Sequence, residues 1–241
     1  MADSSPLYAS ALFQRIAGGA WRPGGEELTR HGLALCSFAG GAHILDVGCG
    51  AGASLRVLSS LGLHGTGLDR ECSLSEPFPF VQADAANPPF DDDTFDGILC
   101  ECVLSLLPDP EQALRRFTAI LRPGGKLLLS DLYLPGDALS SGRGTGCAAG
   151  ARTRSAVEDM LARAGFSLLV FEDHSAALRE LAAKLLWYGD ETLCAQLRPG
   201  ACACSSEGRV RRGYGLWIAA CPKAALPGEK AQSVPDASGG R

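Results

Sequence analysis

A chain of 241 residues, 46% of them hydrophobic, is long enough for one large α/β domain with a sizeable core. Its net charge of −5 argues against nucleic acid as a partner, because phosphate binding needs a basic footprint, and points instead to small molecules. No apolar run approaches the ~18 residues that cross a bilayer, and the N-terminal Met-Ala-Asp-Ser-Ser-Pro lacks the basic and apolar segments of a signal peptide, so a cytoplasmic location without membrane contact is expected.

The first 40 residues read as a helical cap. Amphipathic helices are expected over residues 5–18 and 25–37, around the turn Gly18-Gly-Ala-Trp-Arg-Pro-Gly-Gly25. Such a segment can fold across a ligand held by the domain that follows, with Trp21 either packing on that ligand or serving as a hydrophobic anchor.

The main domain is expected over residues 41–222, and its opening stretch, His43-Ile-Leu-Asp-Val-Gly-Cys-Gly-Ala-Gly-Ala53, is the most informative in the chain. An apolar strand runs into Asp46 and then into Gly48, Gly50 and Gly52, where missing Cβ atoms let a ligand approach the backbone. A helix from Ala53 to Leu61 would point its free amides at that ligand. Gly48-x-Gly50-x-x-Ala53 also satisfies the relaxed dinucleotide fingerprint. Asp46, however, would oppose a pyrophosphate and welcome an ammonium or sulfonium cation, which favours S-adenosylmethionine over a nicotinamide cofactor.

Gly65–Asp69 reads as the second strand, ending in an acid near the ~20-residue offset at which a carboxylate takes ribose hydroxyls. The crossover to Phe80 holds two prolines and is too short for a full helix. Phe80–Ala85 is a third strand, carrying Asp84, and Phe95–Cys100 a fourth. Asp109 and Pro110 start a helix that should run to Arg122 and stop at Pro123-Gly124-Gly125, ahead of a fifth strand reaching Asp131. A helix over Thr153–Ala164, a strand over Phe166–Glu172, a helix over Ser175–Tyr188 and a final strand over Tyr214–Cys221 complete the pattern. Residues 223–241 have the composition of a disordered tail. Alternating strands and helices predict an α/β, doubly wound, Rossmann-like sheet.

Residues 41–135 resemble the class I S-adenosylmethionine-dependent methyltransferases, with Asp46 and the glycine turn, Asp69, Asp84 and Leu121-Arg-Pro-Gly-Gly125 in the family's order. The resemblance implies seven strands with the last antiparallel. It also implies a cofactor set of Asp46, Gly48, Cys49, Gly50 and Gly52 at the methionine end, Asp69 and Arg70 at the ribose, Asp84 and Ala85 at the adenine, and Glu101 beside them.

The acceptor side is less determined. Methyl transfer needs an acceptor lone pair aligned behind the sulfonium methyl, so a base is optional. Glu101 follows the fourth strand, Asp131 and Tyr133 the fifth, and Asp173-His174 the sixth. His174 is the best candidate base, its other reading being a residue that flanks the next helix. Cys100–Pro110 and Gly146-Cys147-Ala-Ala-Gly-Ala151 resemble segments of arsenite methyltransferases, which implies a thiolate role for Cys147 or else a shared small-molecule subgroup. Among the ten cysteines, Cys194, Cys202 and Cys204 form a possible metal cluster or a variable loop, whereas Cys36, Cys49, Cys100 and Cys102 sit in apolar contexts and read as core. The expected activity is methyl transfer to a small molecule, and the rival is a cofactor- or metal-binding redox scaffold. Turnover separates the two. The oligomeric state is not legible in the chain.

Overall fold

The computed structural model describes residues 20, 22–71, 74, 77–136, 149–188 and 212–222. The expected helix over residues 5–18, Trp21, Cys147, Cys194, Cys202, Cys204 and the tail over residues 223–241 lie outside the described residues.

In chain order the elements are α1 (Gly25–Cys36), β1 (His43–Val47), α2 (Ala53–Ser60), β2 (His64–Asp69), β3 (Phe80–Gln82), β4 (Phe95–Glu101), a 3-10 turn (Leu104–Leu106), α3 (Pro110–Ile120), β5 (Leu121–Leu134), β6 (Arg152–Thr153), α4 (Arg154–Arg163), β7 (Ser167–Asp173), α5 (Ser175–Tyr188) and β8 (Gly213–Ala220). The sheet order is β3-β2-β1-β4-β5-β8-β7. β1 pairs in parallel with β2 and with β4, while β8 is antiparallel to both β5 and β7. The expected doubly wound sheet with an antiparallel last strand is thus present. β6 adds an eighth strand of two residues that pairs with Tyr133 and Leu134.

Three boundaries differ from the sequence reading by more than one residue. Helix α3 ends at Ile120 rather than Arg122, because Leu121 is already extended (φ −80°, ψ 137°) and pairs with Phe95. Strand β5 continues past Asp131 to Leu134, since β8 supplies partners as far as Tyr133↔Gly213, so Asp131 and Tyr133 lie within the strand and not after it. Strand β3 stops at Gln82, which leaves Asp84 and Ala85 in the following turn.

Each central strand is covered on both faces, so alternate residues enter different cores. Leu45, Val47, Ile98, Cys100, Leu127, Leu129 and Trp217 pack beneath α3 and α4. Ile44, Leu99, Leu128, Leu216 and Ile218 face the opposite way, toward α1 and α2. By the same period of two, Asp46 shares a face with Ile44, Glu101 with Leu99 and Ser130 with Leu128. Asp131 faces the other core. Two acids on adjacent strands therefore end up under the same pair of helices.

Caps follow the sequence chemistry. Asp109 accepts from the Gln112 amide at 2.9 Å with Pro110 at N1, and Thr153 accepts from the Ala156 amide at 3.2 Å. Among the described residues no helix is long and apolar enough to cross a membrane. Phe117 is fully buried in the α3 core; Phe117→Ala is expected to lower unfolding free energy by about 3–5 kcal/mol in urea titration, whereas Leu61→Ala, at a position 46% exposed, should stay within about 0.5 kcal/mol of wild type.

Candidate active site

The topology reverses between β1 and β4, and the crevice beyond their carboxyl ends is where such sheets hold ligands. The glycine turn shapes one wall. Gly48 has φ +71°, and a Cβ there would stand 2.4 Å from Val103 Cγ2, so only glycine closes the turn. The Gly48 and Cys49 amides donate to the Leu68 carbonyl at 2.7 and 3.2 Å, tying the turn to β2. Gly50 has φ +49° and a Cβ would meet nothing within 4 Å, leaving its surface open to a ligand. The N-cap of α2 is Gly52, with no side chain capping the first amides.

Behind the turn lies a buried charge cluster. Glu101, the last residue of β4, accepts from Thr29 Oγ1 at 3.0 Å, from Ser54 Oγ at 2.8 Å and from Arg22 Nη2 at 2.9 Å. Arg22 also donates to Thr29 Oγ1 and to Ser54 Oγ, so α1, α2 and the segment before α1 all converge on one carboxylate. Burial works against the Arg22 charge, but Glu101, Tyr214, Asp46 and Cys102 together hold its pKa above the ordinary value.

Asp46 is 3% exposed, and its Oδ2 has no hydrogen-bond partner among the described residues. Burial first, then the nearby Glu101 and Asp69 charges, push its carboxyl up to about 7, while Arg22 pulls in the other direction. Arg22 Nε, likewise buried, also has no partner among the described residues. With all groups ionised, two carboxylates interact with one guanidinium, leaving an excess negative charge, an orphan acceptor and an orphan donor. An α-amino acid zwitterion supplies the missing counterparts, its ammonium for Asp46 and its carboxylate for Arg22. The methionine end of S-adenosylmethionine fits these residues.

Asp69 stands at the end of β2, where its Oδ2 accepts from the Gly50 amide at 2.9 Å and its Oδ1 from the Glu71 amide at 3.3 Å. Lone pairs remain for hydroxyl donors. Arg70 and Asp84 form an ion pair at 2.9 Å with side chains 62% and 50% exposed, and Ala85 is buried beside them. Cys49 is buried against β2, and burial pushes the Cys36 thiol up to about 12 and the Cys100 thiol well above its usual range, as expected of core cysteines. Cys102 is half-buried at φ +59°, its Sγ 3.1 Å from Tyr214 Oη.

His174 lies elsewhere. Its Nε2 is 2.9 Å from Glu172, and its backbone amide donates to the Tyr214 carbonyl at 2.8 Å. Asp131 accepts from the Ser105 amide at 2.8 Å, from Ser105 Oγ at 2.7 Å and from the Leu132 amide at 2.7 Å, pinning the 3-10 turn to β5. Burial raises its carboxyl to about 6 against these hydrogen bonds. A narrow cleft between Leu104, Leu132, Val157 and Met160 opens above Asp131.

The sequence reading missed Arg22, Thr29 and Ser54. Arg22 had a weak signal, as a lone cation in a Gly- and Pro-rich turn, but Thr29 and Ser54 look like ordinary helix residues until the fold sets them on Glu101.

Residues 45–129 match the model of a methyltransferase domain family. The matched stretch holds the glycine turn, Asp69, Asp84 and Glu101. The chain is similar to the demethylmenaquinone methyltransferase of Clavibacter sepedonicus, 30% identical in an alignment that covers 55% of this chain and 61% of the relative. It is also similar to the ubiquinone biosynthesis O-methyltransferase of Xanthomonas axonopodis pv. citri, 30% identical over 54% of this chain and 64% of the relative. The chain thus spans less than two thirds of these relatives. In fold it resembles a phosphoethanolamine N-methyltransferase of Haemonchus contortus (TM-score 0.72, 17% identity, 88% of this chain and 56% of that one). The cyclase SpnF shares the fold equally well (TM-score 0.70, 23% identity, 90% and 94% covered).

Because the Asp46 pKa is raised on folding, its protonated form stabilises the native state fully below the ordinary carboxylate range, and that contribution is lost as pH rises toward and through about 7. Asp46→Asn should therefore raise the melting temperature relative to wild type at pH 8 and leave it unchanged at pH 4, as scanning calorimetry would show.

Proposed function

We propose that this protein transfers a methyl group from S-adenosylmethionine to a hydroxyl group of a small molecule. The observation that carries the reading is the orphan pair at the switch point, Asp46 Oδ2 and Arg22 Nε, buried together beside an open glycine turn. The names of the relatives, several of them O-methyltransferases, support hydroxyl as the acceptor class.

In this reading Asp46 accepts from the ammonium of the cofactor's methionine end and Arg22 donates to its carboxylate. Glu101 is a positioning residue, holding Arg22, Thr29 and Ser54 in place, and its three donors leave it no role as a base. Asp69 accepts from ribose hydroxyls, and Asp84 with Ala85 borders the adenine. When bound, the cofactor supplies an activated methyl group that an oxygen lone pair can attack in line, the methyl–sulfur bond breaking as the carbon–oxygen bond forms and the hydroxyl proton passing to solvent. The protein's share is to fix that line and exclude water, which can account for much of the rate without a dedicated base. Residues 1–40 would act as a cap and residues 41–222 as the transferase domain, with the acceptor entering over the carboxyl ends of β4 and β5.

Calorimetry should detect binding of S-adenosylmethionine and of its demethylated product, and not of NAD. An ammonium beside Asp46 favours the ionised carboxylate, so affinity should rise with pH up to about 7 and fall by roughly tenfold per pH unit well below it, a dependence that Asp46→Asn flattens. That variant should also lose about 1.5–3 kcal/mol of cofactor binding. A folded wild-type sample that binds neither adenosyl ligand would overturn the assignment. With methyl-labelled cofactor and a pool of hydroxylated aromatic and aliphatic acceptors, label should enter an ether product. Binding with no transfer to any acceptor would favour the scaffold or a cyclase-like reaction, and transfer to trivalent arsenic that Cys147→Ser abolishes would favour a metalloid acceptor.

A further inference from the structure

On the side of α1 turned away from the charge cluster, three metal-ligating side chains meet. His31 Nε2 stands 2.7 Å from Glu172 Oε2, and His174 Nε2 stands 2.9 Å from the same oxygen. The two rings lie edge to face with centroids 5.8 Å apart. One donor atom from each of the three residues falls within 4.8 Å of the other two. Thr29 and His31 are two residues apart, so they point about 200° apart around the helix, and α1 touches Glu101 with one side and Glu172 with the other.

We propose that His31, Glu172 and His174 form a binding site for a divalent first-row transition ion, zinc being the best match. Two neutral imidazoles and one carboxylate are a common ligand set for such ions, with a fourth position left to water. Metal–ligand bonds of about 2.0–2.2 Å put tetrahedral donors about 3.3 Å apart, so a small side-chain rotation brings the present spread to coordinating distance. The backbone is already held. Glu172 pairs with Leu216 in the sheet, and the His174 amide is fixed to the Tyr214 carbonyl at 2.8 Å. The alternative is a plain surface ion-pair network. That reading accounts for one oxygen shared by two imidazoles equally well, but it assigns no role to a convergence of α1 with the end of β7 across 141 residues of sequence.

A metal here would clamp α1 onto β7. Because α1 also carries Thr29 against Glu101, the clamp would hold the helix over the cofactor pocket. The site does not depend on the proposed methyl transfer.

Cobalt(II) added to the full chain at pH 8 is a suitable probe, because its visible absorption reports ligand type and distinguishes imidazole and carboxylate from the chain's many thiols. The expected result is a d–d spectrum saturating at one equivalent without a thiolate-to-cobalt charge-transfer band. His31→Ala and His174→Ala should each weaken binding at least tenfold. Both residues are partly exposed, with side chains 47% and 27% accessible, so the variants should keep wild-type circular dichroism in chelator. Zinc should raise the melting temperature of wild type and not of His31→Ala. No cobalt spectrum at millimolar metal, a charge-transfer band showing cysteine ligation, or wild-type affinity in either histidine variant would each overturn the site.

Discussion

Two carboxylates and one guanidinium buried at the point where the sheet reverses direction constrain everything around them. Taking a charge out of water costs several kcal/mol, and the attraction between Arg22 and Glu101 offsets that cost only because Thr29 and Ser54 complete the hydrogen bonding. Asp46 is left outside that arrangement. Its carboxyl responds by shifting toward neutrality, which stores a preference for any cation delivered to its free oxygen. A zwitterion would complete the hydrogen bonding there, and burial would make its ammonium and carboxylate count for more.

The sheet sets this up through parity. Asp46 and Glu101 lie on neighbouring parallel strands, each an even number of residues from an apolar side chain that packs under α1 and α2. A shift of one residue in the pairing of β1 with β4 would send one acid into the opposite core. Gly48 keeps the turn close enough to Val103 that the strand cannot be extended past it. On the far side of the same sheet, Asp131 makes three hydrogen bonds of its own and raises no demand for a ligand, although burial lifts its carboxyl as well. Perturbed acidity alone thus does not mark a binding group; an unmatched lone pair does.

The architecture is shared by proteins of different activity, among them an N-methyltransferase and a cyclase of almost equal structural similarity to this chain. Functional inference therefore rests on the groups at the switch point and not on the sheet. In this molecule α1 joins two regions, reaching Glu101 through Thr29 and Glu172 through His31.

Local order was legible in the chain because it is written locally. The turn at Gly48–Gly52, the cap at Asp109-Pro110, the helix over Ser175–Tyr188 and the acid ending β2 all follow from residues within a few positions of one another. The misplaced boundaries have a tertiary cause. Leu121 leaves α3 early because Phe95 offers it a strand partner, and β5 runs long because β8 lies antiparallel beside it. The charge cluster was only half visible. Asp46, Asp69 and Glu101 announce themselves as acids at strand ends, whereas Arg22, Thr29 and Ser54 acquire their meaning by approaching Glu101 from 79, 72 and 47 residues away, and His31 meets Glu172 across 141. Sequence by itself determined the fold class and the acids near the strand ends, since periodicity and turn chemistry act over short range; which side chains would share a carboxylate was decided only when the packed sheet and helices brought distant segments within hydrogen-bonding distance.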